Sequence, residues 1–215
     1  MPYTNATMAV SERMQEARLL LAACGSAGLA DGAKRAIRGH LYVTLHAMYE
    51  RCVSDCVFNA LGLANGSAIP LRDLKPGFLV FAVHPQLQGY RSCKSGKSWA
   101  KGIQVMHSVV DSGPAQLHSV FPADGSFMKP SQLALIWELF QLPGDPWPHP
   151  RLTTRIVEIV DARNQVAHGG ETAGARGGTL SDAEMRIRVD DFELLCCHIV
   201  GTFSANLATA ADFVK

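Results

Sequence analysis

The sequence is short of net charge. Its 20 lysines and arginines stand against 19 aspartates and glutamates, a formal +1. That excludes a histone-like polyanion binder and leaves room for a local basic site. It is also short of cysteine for a disulfide framework. Cys24, Cys52, Cys56, Cys93, Cys196 and Cys197 are six thiols in 215 residues, and five of them lie in apolar helical surroundings, where a reduced thiol packs as a small hydrophobe. A reducing compartment is the expectation. No CxxC pair occurs. Cys52 and Cys56 at i, i+4, and Cys196-Cys197-His198, read as core packing, so no metal site and no cofactor are expected.

Long uninterrupted apolar runs are missing as well. The most apolar stretch, 194–214, is broken by His198, Ser204, Asn206 and Asp212, which argues against a membrane span. The N-terminal stretch has no basic region ahead of its apolar residues and carries charges among them, so it does not read as a signal peptide. A soluble, cytoplasmic protein with no membrane partner is the expectation. Two familiar motifs are also lacking. Gly96-Lys97-Ser98 would need a glycine at position 91 to be a phosphate loop, and Arg91 stands there. No G-x-S-x-G nucleophile elbow is present.

What is there is helical periodicity. Hydrophobic residues make up 47% of the chain and charged ones 18%, enough to bury a single-domain core. Ser11 with Glu12 opens a pattern running to about residue 24, and Gly25-Ser26-Ala27-Gly28 breaks it. Asp31 is placed to cap a helix over 32–62, where Ile37, Leu41, Leu45, Met48 and Cys52 recur at three- and four-residue steps. Residues 130–142 start with a proline and read as a helix. A stiff proline-rich connector leads to a helix over 151–168. Residues 169–178 read as a flexible glycine-rich loop, and Asp190 is placed to cap a last helix reaching Phe213. Strand character is confined to residues 185–189. The expected fold class is all-α, one up-and-down helical bundle with an irregular insertion over about 65–130. Within it, residues 84–101 read as a basic surface segment. There Arg91, Lys94, Lys97 and Lys101, interleaved with Trp99, are candidates for touching an RNA backbone and stacking a base.

The stretch 161–171, DARNQVAHGGE, ends the helix over 151–168 oddly. Residues i, i+4, i+7 and i+11 share a helical face. Ile156, Val160 and Ala167 form such a set, with Arg163 between them. A guanidinium stays charged at ordinary pH and needs an acidic or phosphate partner when buried. Glu50 is offered by the earlier helix, in the stripe Val43, Ala47, Glu50, Val53 and Val57. It is expected to approach Arg163 or its neighbours. Asp161, Asn164 and His168 share a second, polar face, on which Asn164 can hydrogen-bond the His168 ring or the backbone near it. Imidazole titrates near neutrality and can move a proton. A guanidinium can hold a phosphate by a two-pronged contact.

The residues R-N-Q-V-A-H-G, 163–169, resemble the R-N-x-x-A-H-G form of the R-x4-H motif of the HEPN superfamily, in particular its prokaryotic stand-alone nuclease-like members. The stretch 41–57, with its aromatic residues and Glu50, is similar to that family's early helix. The order of elements is similar too, apart from the middle of the chain. The resemblance implies a compact α-helical domain that forms homodimers, and a metal-independent endoribonuclease of a toxin–antitoxin or antiphage system. Arg163 and His168 would be the catalytic pair, with Asn164, Asp161 and Glu50 in support. The two protomers would bring their motifs into one composite cleft, so that residues about 140° apart on one helix still line a shared groove. RNA would be the substrate, cleaved to a 2′,3′-cyclic phosphate and a 5′-hydroxyl, and an antitoxin or other regulatory protein the partner. The alternative implied is a non-catalytic module of the same fold that binds RNA, a nucleotide or a partner protein.

Overall fold

The computed structural model describes residues 2–110, 113–119 and 128–215. Among them the protein is all-α, with helices α1 (Thr4–Cys24), α2 (Asp31–Gly66), α3 (Pro76–Arg91), α4 (Ser98–Val109), α5 (Pro130–Phe140), α6 (Arg151–Ala167), α7 (Ala173–Gly177) and α8 (Asp182–Asn206), plus short 3-10 turns. No described helix is long and apolar enough to cross a membrane.

Helix α2 is the axis. Its 36 residues span about 54 Å at 1.5 Å per residue. Apolar residues bury it around most of its circumference: Leu41, Leu45, Met48, Tyr49, Cys52, Val53, Cys56, Ala60 and Leu61 are all buried. A helix apolar on several sides must be covered on several sides, and α1, α6, α7 and α8 all pack against it. The far end of the bundle closes on an aromatic cluster. Phe78 meets Phe140 and Phe213 edge-on, and Phe203 meets Phe140, Trp137 and Tyr3.

Helix α1 starts at Thr4, seven residues before the position expected from Ser11. Tyr3, Ala6 and Val10 extend its buried stripe, and the Tyr3 hydroxyl donates to the Leu207 carbonyl at 2.9 Å. At Asp31 the side chain makes no cap; Ala30 holds the N-cap position and Asp31 lies in the first turn. The last long helix begins at Asp182, not at Asp190. Ser181 caps it, accepting from the Glu184 amide, while Glu184 accepts from the Ser181 amide at 2.8 Å. Ser-Asp-Ala-Glu is thus a capping box, and residues 185–189, expected as the one strand-like piece, are helical. Met185, Arg188, Val189 and Phe192 turn inward at helical spacing.

The middle of the chain is more helical than expected. Residues 84–101 belong mainly to the α3–α4 hairpin, which packs through α3 on α5. An extended run, 113–119, crosses the end of α2. The Asn65 amide clamps it, accepting from the Leu117 N–H at 2.7 Å and donating to the Leu117 carbonyl at 3.0 Å.

The glycine-rich segment after α6 is clamped rather than loose. Helix α7 packs directly on α2, because Gly39 and Gly177 let the two backbones touch. A Cβ on Gly39 would lie 1.9 Å from the Ala173 carbonyl oxygen, and one on Gly177 would lie 1.9 Å from that of Arg35. The Arg38 guanidinium fixes the contact, donating to the Gly177 carbonyl at 2.8 Å and to Asp182 at 2.7 Å. Replacing Gly177 or Gly39 by alanine is therefore expected to cost on the order of 1–3 kcal/mol, the range for overpacking. Gly201→Ala, at an open helical position with nothing near its Cβ, should instead stabilise by about 0.5–1 kcal/mol. Urea denaturation of the three variants measures both signs. A Gly177→Ala variant as stable as wild type would contradict the close contact.

Candidate active site

Helix α6 is held in rotation by a charge network along its first half. Asp191 of α8, only 1% exposed, accepts from Arg151 at 2.7 Å and from Arg155 at 3.2 Å. Glu158 accepts from Arg155 and Arg188, both at 2.6 Å, and Tyr42 of α2 reaches it at 3.4 Å. A buried carboxylate is tolerated when its lone pairs are answered in this way. Below the network, Leu152, Ile156, Ile159, Val160 and Ala162 are buried. The second half of the helix therefore meets α2 in one fixed orientation.

That orientation sets the motif. Arg163 is half-buried just past Ile156 and Val160, where the buried stripe ends, since Ala167 beyond it is exposed. Its Nη1 donates to Asn164 Oδ1 at 3.0 Å, and no ion pair joins it to any carboxylate among the described residues. Asn164 thus serves Arg163 through its side chain. Its backbone carbonyl accepts the His168 amide at 3.0 Å, so its link to His168 is through the main chain and not through the ring. His168 is the C-cap of α6, with its ring exposed. Gly169 follows at φ +73°, the left-handed conformation that ends a helix at little cost for glycine. Asp161 is exposed on the same helix.

Across the seam, α2 contributes a residue that is not among the candidates from the sequence. His46 is 3% exposed, and its Nδ1 lies 3.6 Å from Glu50 Oε2. Burial lowers its pKa to about 4, and the nearby Arg163 charge adds to the depression. His46 is therefore a neutral imidazole at ordinary pH. Glu50 pairs with His46, and no ion pair joins it to Arg163 among the described residues. The usable signal for His46 was its place four residues before Glu50, inside the buried run from Leu41 to Tyr49.

The structure thus brings Arg163 and its partner Asn164 near His46, which is paired with Glu50, while His168 stands exposed at the end of α6. It does not bring Arg91, Lys94, Lys97, Trp99 and Lys101 there. All five are exposed on the α3–α4 hairpin, which packs on α5. Cys52, Cys56 and Cys196 are buried free thiols, in keeping with core packing. Among the described residues no cluster of His, Cys, Asp or Glu is arranged to hold a metal ion. No protein-family model, curated protein or solved structure matches the chain.

A buried neutral histidine makes stability depend on pH in a definite sense. The folded-state pKa, about 4, lies below the unfolded value of about 6.5. As pH falls below about 6.5 the unfolded chain takes up a proton that the folded state refuses. Stability is then lost down to about pH 4 and levels off below. Between pH 7 and pH 5 this one group is expected to cost about 2 kcal/mol. Guanidinium denaturation at the two pH values should show that loss in wild type and a smaller one in His46→Gln. Equal losses would refute the assignment.

Proposed function

We propose that the chain is a metal-independent endoribonuclease of HEPN type, acting as a homodimer whose two motif ends meet in one cleft. The observation that carries this reading is the state of Arg163. It is a permanently charged guanidinium, half-buried, positioned by Asn164 and without a carboxylate partner among the described residues. Arg151, Arg155 and Arg188, by contrast, are all committed to Asp191 or Glu158. A structural arginine in this seam would be expected to take an acid. One left without an acid, on the helix whose end carries an exposed histidine, is suited to an anion brought from outside, and a phosphodiester is such an anion.

The chemistry follows from the groups. The 2′-oxygen of a ribose attacks the adjacent phosphorus while the bond to the 5′-oxygen breaks. A proton leaves the 2′-hydroxyl and one is delivered to the departing 5′-oxygen. His168 performs one of these transfers, and in the proposed homodimer the His168 of the second copy performs the other. Arg163 offers two N–H groups to the non-bridging oxygens, where charge accumulates in the phosphorane-like transition state. The products are a 2′,3′-cyclic phosphate and a 5′-hydroxyl. The neutral His46, close enough to feel the Arg163 charge, adds no second positive charge there, and Glu50 and Asp161 are the supporting acids of the proposal. An activity of this kind fits a cytoplasmic toxin or antiphage effector restrained by an antitoxin or regulatory partner.

Single-stranded RNA incubated with the protein in EDTA should be cleaved. His168→Ala and Arg163→Ala should each slow cleavage by at least about a hundredfold, the usual scale for losing a proton-transfer group or an anion-stabilising group. Arg163→Lys should recover little, because the two-pronged contact is gone. Asn164→Ala should cost less, about tenfold, since it removes only the positioning of the guanidinium. Undiminished cleavage by His168→Ala would overturn the proposal.

A further inference from the structure

Helix α4 uses none of its residues in the core. It packs on α3 and adjoining 3-10 turns, and none of its twelve residues is buried. Its apolar residues nonetheless form a stripe. Trp99, Ile103 and Met106, with the C-cap residue Val110, at i, i+4, i+7 and i+11, share one face, and they are 85%, 55%, 64% and 67% exposed. Leu87 and Tyr90 of α3 continue that face into a groove of about 630 Å³ running along the α3–α4 seam. Large apolar side chains this exposed, contiguous along a groove rather than scattered singly, mark a candidate interaction site.

The charge around the groove selects the partner. Between Asp73 and Asp111 the sequence has no aspartate or glutamate, while Lys75, Arg91, Lys94, Lys97 and Lys101 fall inside that span. Arg91, Lys94 and Lys97 sit at the hairpin turn, next to the end of the groove made by Tyr90 and Trp99. A second copy offering the same hairpin would set cations against cations with no acid to answer them. RNA would find phosphate contacts at the turn, but no use for Ile103, Met106 and Val110 along the stripe. A lipid surface needs a protruding face, whereas here the apolar residues border a recess between two helices. An apolar groove of about three helical turns with a cationic end matches an amphipathic helix with acidic flanks.

We propose that the α3–α4 hairpin is a docking groove for an acidic amphipathic helix of a partner protein, which lays its apolar face over Trp99, Ile103 and Met106 and its carboxylates against Arg91, Lys94 and Lys97. The surface is separate from the Arg163–His168 site and does not depend on the activity proposed for it.

The full-length protein is titrated with two synthetic amphipathic helical peptides. Both carry leucine at three- and four-residue steps, one with glutamate and the other with lysine on the opposite face. Trp99 fluorescence and calorimetry report binding. The glutamate peptide is expected to bind and to blue-shift a fluorescence component absent from Trp99→Phe. Ile103→Asp and Met106→Asp should weaken it at least about tenfold, as should Lys94→Glu combined with Lys97→Glu. These positions are exposed, so the variants should fold, and circular dichroism checks that. The lysine peptide should not bind. Binding of neither peptide, or of both equally, would overturn the proposal. So would binding that survives the Asp variants. Phosphatidylglycerol vesicles, single-stranded RNA, or self-association in sedimentation that takes the place of the peptide at the same residues would overturn it in favour of those occupants.

Discussion

Helix α2 carries the constraint on which the rest of the structure depends. Because it is apolar on several sides, it cannot stand until several helices cover it. Two of the covering helices, α7 and α6, are placed by features of α2 itself. Gly39 admits α7 to backbone contact, Tyr42 reaches the charge network that turns α6, and His46, paired with Glu50, lies near Arg163 of α6. These three features follow one another at three- and four-residue steps along one side of the helix. The site is therefore a consequence of how α2 is buried, and its geometry is tied to the stability of the bundle.

The arginines of α6 divide into two kinds, and the division is physical. Arg151 and Arg155 lie where α8 supplies Asp191, an acid so buried that it needs both of them. Arg163 lies where α2 supplies a neutral imidazole instead. Protonating His46 would place a second positive charge in a desolvated space, and burial keeps the ring neutral. The consequence is a guanidinium with its charge still to be satisfied, close to the end of a helix that Gly169 terminates and that leaves His168 in solvent. Charge that the fold leaves unanswered is charge that a ligand can answer.

Much of this was legible in the sequence, and the failures have reasons. The helical class, the place of α2, α5 and α6, and the position of Arg163 beside an apolar stripe all follow from 3.6-residue periodicity. The Ser181 cap was also readable, as Ser-x-x-Glu, but the β-branched and alternating look of 185–189 competed with it, and tertiary burial of Met185 and Val189 decided for helix. The glycine-rich segment looked flexible because composition cannot reveal that Gly177 faces Gly39 on a helix far away in sequence. His46 escaped for the same reason. Its environment is created by α6, which spacing within α2 does not contain. Asn164 was placed on the correct helix, but its side chain turned to Arg163, since a charged donor one residue away outcompetes an exposed imidazole.

The account rests on the claim that Arg163 and His168 serve attack by a ribose 2′-hydroxyl. The most direct measurement compares an RNA oligonucleotide that the protein cleaves with the same oligonucleotide bearing a single 2′-deoxy residue on the 5′ side of the scissile phosphate, with products identified by mass spectrometry. The account predicts a 2′,3′-cyclic phosphate from the first and no cleavage at that phosphate in the second. Cleavage of the deoxy-substituted phosphate, or products carrying a 5′-phosphate, would contradict it.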